Sequence, residues 1–181
     1  MSEVCCRLLS SSPRTPGSAH REIFNDFIEI CVPHRAIGGD RHTAVTSLLT
    51  IETSGRGFVD VTAEVAKFVG DACAREGAVT LFIRHTSASL TIQENADPSV
   101  LNDLMTALDR LAPEDAGWTH DTEGPDDMPA HVKSMLNGVS LHIPVTNGTM
   151  ALGTWQGIYV AEHRAHPHRR EVVLQFLGGC S

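Results

Sequence analysis

The fold is decided by the stretch VTLFIRHTSASLTIQENADPSVLNDLMTALDRL, residues 79–111. Apolar side chains alternate along Val79–His85 and again along Leu90–Glu94, which predicts two β-strands. Asp97 then stands where a helix N-cap is expected, and Pro98 occupies the first helical position. Leucines at helical spacing follow, so the stretch predicts two strands and a helix that ends near residue 111.

The rest of the chain predicts more strands than helices. Further strands are expected at 45–52, 139–145, 150–152, 156–163 and 171–177. Further helices are expected along an apolar stripe at 61–72 and at 129–137. Because strands outnumber helices and most connections are short, the sequence predicts an α+β fold. We expect a single compact domain, with a mainly antiparallel β-sheet or sandwich and two to three helices.

Residues 1–44 are expected to form an N-terminal extension, and residues 45–178 the folded domain. Residues 1–21 are rich in serine and proline and hold three arginines and one acid, a composition typical of a disordered tail. The same composition is weakly similar to an organelle transit peptide, so organelle targeting stays an alternative. Apolar residues at helical spacing within 22–31 predict a short helix that docks on the domain.

The composition excludes several classes of protein. The chain has 181 residues, of which 41% are hydrophobic and 20% are charged, the balance of an ordinary globular domain. No apolar stretch approaches the roughly 18 residues that a membrane-spanning helix needs. The net charge of −8 argues against nucleic-acid binding, because phosphates require an excess of lysine and arginine. The sequence therefore predicts neither a membrane nor a nucleic acid as partner.

The cysteines indicate a reducing compartment. There are five, an odd number, and none has the Cys-x-x-Cys spacing of zinc ribbons. A chain without a disulfide framework is typical of the cytoplasm, which is the location that we predict.

Acidic residues are concentrated in one region of the sequence. Ten acids and a single base, Arg110, lie between Glu94 and Asp127. Such a run is typical of a solvated acidic surface. It also fits carboxylates that face a metal ion or a cationic substrate, and the sequence alone leaves both interpretations open.

Three histidines are candidate metal ligands. His85 ends an apolar strand, His120 lies in the acidic loop, and His131 lies near the start of a helix. Imidazole together with carboxylate is the ligand set that zinc and similar divalent ions prefer. Asp127 precedes His131 by four residues, a spacing that fits two side chains on one helical face and fits equally a capping acid and its histidine neighbour. The alternative is that each histidine is a hydrogen-bonded structural residue, since the spacing fits no compact zinc motif.

Two polar segments are candidate anion-binding elements. Thr86 and Ser87 follow a strand, where hydroxyls and backbone N–H groups can bind an oxyanion, although a polar turn is the simpler interpretation. Gly153 and Gln156 interrupt a β region, where glycine permits a bulge or the close approach of a ligand. The basic segment at 164–170 is interpreted as an exposed hairpin tip.

Four blocks of the sequence resemble the YjbQ family. They are HTSASLTIQENADPSV at 85–100, HDTEGPDDMPAH at 120–131, IPVTNG at 143–148 and LGTWQGIYVAEHR at 152–164. Their order and spacing match the family from about residue 45 to residue 177. The resemblance does not cover residues 1–44.

The resemblance implies a homotrimeric α+β protein with a histidine-lined metal site and an anion site beside it. Some members are similar to secondary thiamine-phosphate synthases, which join hydroxymethylpyrimidine diphosphate to thiazole phosphate and release diphosphate. A phosphorylated small molecule is therefore the expected substrate, and zinc or magnesium is the expected cofactor. The alternatives are a non-catalytic trimer that binds a metal or an anion, and a metal-dependent phosphohydrolase.

Carried over position by position, the resemblance assigns roles to particular residues. The expected metal ligands are His85, His120 and His131. The expected catalytic acids are Glu94, Asp97, Asp103 and Asp127. Gly153 and Gln156 are the expected substrate- or anion-binding residues of the family's glycine-tryptophan-glutamine strand. Thr86 and Ser87 are added as anion-binding residues because their hydroxyls follow a strand. We therefore predict that the three histidine side chains converge, and that His142, on the opposite face of its strand from its apolar neighbours, lies outside the site.

The strand predicted at 156–163 carries apolar side chains on both faces. Ile158 and Val160 lie on one face, and Tyr159 and Ala161 on the other. A strand that is apolar on both faces must be covered twice. We expect a neighbouring subunit to provide the second cover, and a helix of the same chain is the alternative.

Overall fold

The computed structural model describes residues 32–33 and 42–180, which form nine β-strands and three α-helices. The strands are β1 (Val32–Pro33), β2 (His42–Glu52), β3 (Gly57–Asp60), β4 (Ala74–Ile83), β5 (Ala88–Glu94), β6 (Ser140–Thr146), β7 (Thr149–Met150), β8 (Gln156–Glu162) and β9 (Arg169–Cys180). The helices are α1 (Thr62–Asp71), α2 (Pro98–Leu111) and α3 (Asp127–Asn137). All strand pairs are antiparallel in this part of the chain, so the predicted α+β class is confirmed.

Six strands form the larger sheet, in the order β1-β2-β9-β4-β6-β7. Strand β9 is central and pairs with β2 on one side and with β4 on the other. The backbones of β4 and β9 approach closely where Gly77 lies opposite Gly178. A Cβ atom built on Gly178 would lie 2.2 Å from the Glu76 carbonyl oxygen, so any larger residue there would push the strands apart.

Strands β3, β8 and β5 form a smaller sheet with β8 in the middle. Val59, Val160 and Leu90 are register partners across this sheet, and all three are buried. They belong to one hydrophobic cluster together with inward-facing residues of the larger sheet such as Leu81 and Leu174. A single core therefore lies between the two sheets, which confirms one compact domain.

Local side-chain contacts fix where the helices begin. Asp97 precedes α2, and its carboxylate accepts a hydrogen bond of 2.8 Å from the Ser99 N–H, as the predicted N-cap requires. Asp60 serves α1 in a similar way, because its Oδ1 accepts from the Thr62 N–H at 2.8 Å. Helix α3 begins at Asp127, two residues before the predicted start, so Asp127 lies within its first turn.

The second cover of strand β8 comes from the same chain. Tyr159 and Ala161 are both buried within a single copy of the protein. Helix α2 packs against β3 and β5, and α3 packs against β5, which places both helices over the smaller sheet. The expectation that a neighbouring subunit covers β8 is therefore wrong, and the alternative is correct.

Several predicted boundaries shift in the structure. Strand β2 begins at His42, three residues earlier than expected. Strand β3 was not predicted, because its four residues directly follow a glycine turn and give too short a pattern. The helix expected at 22–31 lies outside the described residues. Among the described helices, none is long and apolar enough to cross a membrane.

Candidate metal centre and adjacent pocket

The first two turns of helix α3 and the loop before it bring together two histidines and an aspartate. His120 Nε2 lies 2.9 Å from Asp127 Oδ2, and His131 Nε2 lies 3.7 Å from the same oxygen. The two imidazole rings have their centroids 5.5 Å apart. One ligand atom from each of the three residues lies within 4.8 Å of the others. Asp127 and His131 thus share one helical face, as one interpretation of their spacing predicts.

A hydrogen bond through Nδ1 sets the orientation of the His131 ring. Its Nδ1 lies 3.0 Å from the Thr86 carbonyl oxygen. A carbonyl oxygen can only accept, so Nδ1–H is the donor, and Nε2 of the neutral ring presents its lone pair to the cluster. In metal-binding histidines, the ring nitrogen that does not bind the metal commonly donates to a backbone carbonyl oxygen in this way.

Asp127 is almost completely buried, with 2% of the residue exposed, and its two oxygens differ in their partners. Oδ1 accepts a hydrogen bond from Arg164 Nη1. Oδ2 is buried and has no hydrogen-bond partner among the described residues, although His120 Nε2 lies 2.9 Å from it. A buried carboxylate oxygen without a partner is costly, and a cation between Oδ2 and the two imidazoles would compensate it.

Arg164 is held by several groups around Asp127. Its Nε donates to Asp126 Oδ2 at 3.2 Å, and its Nη2 donates to the Glu123 carbonyl oxygen at 2.7 Å. Asp126 Oδ2 also accepts from the Ala165 N–H at 2.7 Å. Burial acts to raise the pKa of Asp126, but the Ala165 hydrogen bond and the Arg164 charge outweigh it and lower that pKa below its usual value. The carboxylate is thus charged and fixed in place.

His85 is not part of this cluster. Its Nε2 accepts a hydrogen bond of 2.9 Å from the Glu171 N–H, and its Nδ1 lies 3.5 Å from Arg170 Nη1. Burial and then the Arg170 charge lower the pKa of His85, so the ring is neutral at pH 7. The structure therefore brings together two of the three predicted histidine ligands, His120 and His131, and engages the third elsewhere.

His85 instead lines an open pocket of about 580 Å³. The pocket is lined by Phe82, Ile83, Arg84, His85, Thr86, Ser87 and Val139. Two of the predicted anion-binding residues, Thr86 and Ser87, are among them. Ser87 Oγ accepts a hydrogen bond of 3.1 Å from Arg170 Nη2. The pocket adjoins the metal-ligand cluster, because the Thr86 carbonyl oxygen is the group that orients His131.

The remaining predicted site residues lie outside the cluster. Asp97 is the N-cap of α2, and its hydrogen bond from the Ser99 N–H lowers its pKa. Asp103 is exposed on the same helix. Glu94 ends β5, where its carbonyl oxygen accepts from the Tyr159 hydroxyl. Of the four predicted acids, only Asp127 is among the three clustered residues of the described chain.

The predicted glycine–glutamine element forms a local contact of its own. Gln156 Oε1 accepts a hydrogen bond of 2.7 Å from the Gly153 N–H, so the side chain closes the loop that precedes β8. Gln156 and its neighbour Trp155 are exposed. His142 is hydrogen-bonded to Thr80 on the larger sheet at 3.0 Å, outside the cluster, as predicted.

Two arginines, one just after β8 and one near the start of β9, have contacts that the sequence did not predict. Arg164 has only 11% of its side chain exposed, and Arg170 is buried, so the exposed hairpin tip is the wrong interpretation for both. Arg170 donates to both oxygens of the fully buried Glu162, at 2.7 and 2.6 Å. The available signal was the run Glu162-His163-Arg164, three polar residues that directly continue an apolar strand.

His163 and Ser89 form a separate buried pair. His163 Nε2 lies 2.8 Å from Ser89 Oγ, which also accepts from Asn137 Nδ2 at 3.1 Å. Burial, followed by the charge of Lys133, lowers the pKa of His163 to about 4. This imidazole is therefore neutral at physiological pH.

Comparison with known proteins agrees with this architecture. The family model described as UPF0047 protein YjbQ-like matches residues 47–179. A UPF0047 protein of Synechocystis is 48% identical over 72% of this chain and 90% of its own length. The UPF0047 protein YjbQ of Salmonella typhimurium is 43% identical over 72% of this chain and 95% of its own length. A crystal structure of a YjbQ/UPF0047 family protein from Clostridium acetobutylicum has a TM-score of 0.67 and 38% identity, and covers 71% of this chain and 98% of that one.

Proposed function

The chain belongs to the UPF0047 (YjbQ-like) family, and we propose that it is a divalent-metal-dependent enzyme that acts on phosphorylated small molecules. The reaction that we propose is of the thiamine-phosphate synthase type, in which a thiazole nitrogen displaces diphosphate from a pyrimidine methylene group. The family resemblance of the four sequence blocks supports this reaction. The arrangement of His120, Asp127 and His131 supports the metal.

A single observation carries the metal centre. Asp127 Oδ2 is buried without a hydrogen-bond partner among the described residues, and the Nε2 atoms of His120 and His131 lie 2.9 and 3.7 Å from it. Ligand atoms of a tetrahedral zinc site lie about 3.3 Å apart, given metal–ligand distances of roughly 2.0–2.1 Å. The three donor atoms are therefore spaced for one ion.

The donor set favours zinc over magnesium. Two imidazoles and one carboxylate suit zinc, whereas magnesium prefers six oxygen ligands in octahedral geometry. Three protein ligands leave a coordination position open, as in catalytic zinc sites. His120 has 52% of its side chain exposed, so solvent and substrate can reach this position. A bound divalent ion would supply positive charge to the departing diphosphate.

The adjacent pocket supplies residues that can bind and orient phosphate groups. Arg84 is exposed at its lining, and its Nη1 donates to Glu171 Oε2 at 3.1 Å, so its other N–H groups are the ones that can bind a phosphate. Ser87 has its hydroxyl oxygen occupied by the Arg170 N–H, so its O–H is free to donate to a phosphate oxygen. His85 accepts through Nε2 and is neutral, so its Nδ1–H is a donor on the same side as Arg170. These groups orient an anion without transferring a proton to it.

The experiment combines turnover with metal binding. The purified chain with Zn²⁺ is incubated with hydroxymethylpyrimidine diphosphate and thiazole phosphate, and thiamine phosphate is measured by chromatography. We expect product with the wild type and at least a tenfold loss of rate and of bound Zn²⁺ in Asp127→Asn. His142→Gln is the matched control, because His142 is exposed outside the cluster.

The outcomes separate the alternatives. Release of phosphate from simple esters without thiamine phosphate would contradict the transferase and favour a phosphohydrolase. Bound Zn²⁺ without any turnover would contradict the enzyme and favour a metal-binding protein. Unchanged Zn²⁺ binding in Asp127→Asn would contradict the metal centre itself.

We further propose a cytoplasmic location. Cys73 is an exposed free thiol in the structure, which agrees with a reducing compartment. Fluorescence microscopy of a C-terminally tagged chain, with and without residues 1–21, tests this proposal. Relocation of the signal on removal of residues 1–21 would instead show organelle targeting by that segment.

A further inference from the structure

We propose that Arg164 is a positioning residue that holds Asp127 as a one-oxygen metal ligand and thereby sets the affinity and ion preference of the centre. This inference rests on the metal centre proposed above. Arg164 acts through Asp127, because its Nη1 donates to Oδ1 while Oδ2 is directed at the two imidazoles.

The guanidinium of Arg164 is fixed by three of its nitrogens. Nη1 binds Asp127 Oδ1, Nε binds Asp126 Oδ2, and Nη2 binds the Glu123 carbonyl oxygen. A planar guanidinium with every arm engaged cannot rotate without breaking a charge-assisted hydrogen bond. The position of Asp127 Oδ1 is therefore determined by a rigid group, and that of Oδ2 follows from it.

The backbone of Arg164 is anchored as firmly as its side chain. Its N–H donates to Glu162 Oε1 at 2.9 Å, and Glu162 is fully buried and held through both oxygens by Arg170. Burial acts to raise the pKa of Glu162, but the hydrogen bonds from Arg170 and Arg164 outweigh it and lower that pKa. A charged, buried glutamate thus connects the metal-ligand cluster to Arg170, whose Nη2 binds Ser87 in the pocket.

Occupation of Oδ1 limits how Asp127 can bind an ion. With Arg164 in place the carboxylate offers a single oxygen, which suits a four-coordinate zinc ion. Calcium prefers six to eight oxygens and often takes both oxygens of a carboxylate. Removal of Arg164 would free Oδ1, so the preference for zinc over calcium should decrease.

The test measures binding of the metals alone in Arg164→Gln. Zn²⁺ affinity is measured by competition with a chromophoric chelator, and Ca²⁺ affinity by calorimetry. We expect Zn²⁺ binding to weaken by about 10- to 100-fold, the usual effect of losing a group that orients a ligand. Ca²⁺ binding should weaken less than Zn²⁺ binding, and the visible spectrum of bound Co²⁺ should shift. Arg169→Gln is the matched control, an exposed arginine five residues further along the chain, at the start of β9.

Several results would overturn the inference. In a folded Arg164→Gln, an unchanged Zn²⁺ affinity and Co²⁺ spectrum would contradict it, as would an equal weakening of both ions. If this variant does not fold, Asp126→Ala serves instead, because it removes the oxygen that accepts from Arg164 Nε and leaves Asp127 intact. A weakening of Zn²⁺ binding in this variant that is smaller than the weakening expected for Arg164→Gln would support the inference. Unchanged Zn²⁺ binding would contradict it. Zn²⁺ binding that survives in Asp127→Asn would reject the metal centre independently of Arg164.

Discussion

Three side-chain atoms are buried without a hydrogen-bond partner among the described residues, namely Asp127 Oδ2, His163 Nδ1 and Thr50 Oγ1, and the first two belong to titratable groups. Their surroundings differ. Asp127 Oδ2 has an exposed histidine beside it, so an ion from solvent can reach it. His163 and its neighbour Ser89 are both fully buried, so no external ligand reaches them. The first atom therefore points to binding, and the second to a contribution to stability that depends on pH.

His163 should make the protein less stable as the pH falls below about 6.5. Its pKa in the folded protein is about 4, against about 6.5 in the unfolded chain. Between these values the unfolded state binds the additional proton, so stability decreases as the pH is lowered through this window. The loss is about 3 kcal/mol by pH 4. Urea unfolding of wild type and His163→Gln at a series of pH values measures it.

In this comparison His163→Gln should lose less stability than the wild type between pH 6.5 and 4. The glutamine amide can still bind Ser89 but does not titrate. His166→Gln, at an exposed position, should follow the wild-type curve. Parallel curves for wild type and His163→Gln would show that His163 is not responsible. Lys133, Glu162 and Arg170 affect the charge state of the ring and are unchanged in every variant.

At the level of single elements, the acids at helix α2 can be tested for a role in capping the helix, as distinct from a catalytic role. Asp97→Ala removes the hydrogen bond to the Ser99 N–H and should lower the free energy of unfolding by about 0.5–2 kcal/mol. Asp103→Ala on the same helix, at an exposed position, should change it by less than about 0.5 kcal/mol. Urea denaturation of both variants measures the difference. Equal effects would mean that Asp97 does not act as a cap.

Patterns within one element were predictable from the sequence. The cap and first turn of α2 follow from the pair Asp97-Pro98. Strands β4 and β5 were predicted from the alternation of apolar side chains, and β8 from a run of apolar residues on both faces. Asp127 and His131 were placed together because one helical turn separates them. Strand β3 was missed because a four-residue strand after a glycine turn carries too little periodicity.

Contacts between distant elements were not predictable. Arg164 meets Asp126 and Asp127 across 38 and 37 residues of chain, and Arg170 meets Ser87 across 83. The run Glu162-His163-Arg164 is an unusual polar end to an apolar strand, but it does not identify the distant partners of Arg164 or Arg170. For the same reason His85 was assigned to the metal, whereas the pairing of β9 beside it supplies the Glu171 N–H to its ring.

At the scale of the whole molecule, the outer face of the larger sheet exposes apolar side chains. Leu48, Val173 and Phe82 are register partners on this face. Phe82 is 47% exposed, and Leu177 further along β9 is 48% exposed. Such a patch is typical of a surface that binds another protein. It supports the homotrimer implied by the family resemblance, which we propose forms through this face.

The molecular mass in solution tests whether copies of the chain associate through this face. Light scattering at micromolar concentration should give three times the chain mass of 19.5 kDa. Leu177→Glu should lower the mass towards that of one chain, because it places a charge in the apolar patch. Met135→Glu, at an exposed apolar position on α3, should leave the mass unchanged. A wild-type mass near one chain would contradict the trimer.

The end of strand β8 has a consequence for how the protein can change in evolution. Glu162, His163 and Arg164 are consecutive, yet they contact different parts of the protein. Glu162 forms the ion pair with Arg170, His163 contacts the buried Ser89, and Arg164 binds the two aspartates at the start of α3. An insertion or deletion of one codon within β8 would shift all three at once, because successive strand residues point to opposite sides. We therefore expect lineages to vary freely in the length of the 112–122 loop, while the length of β8 stays constant.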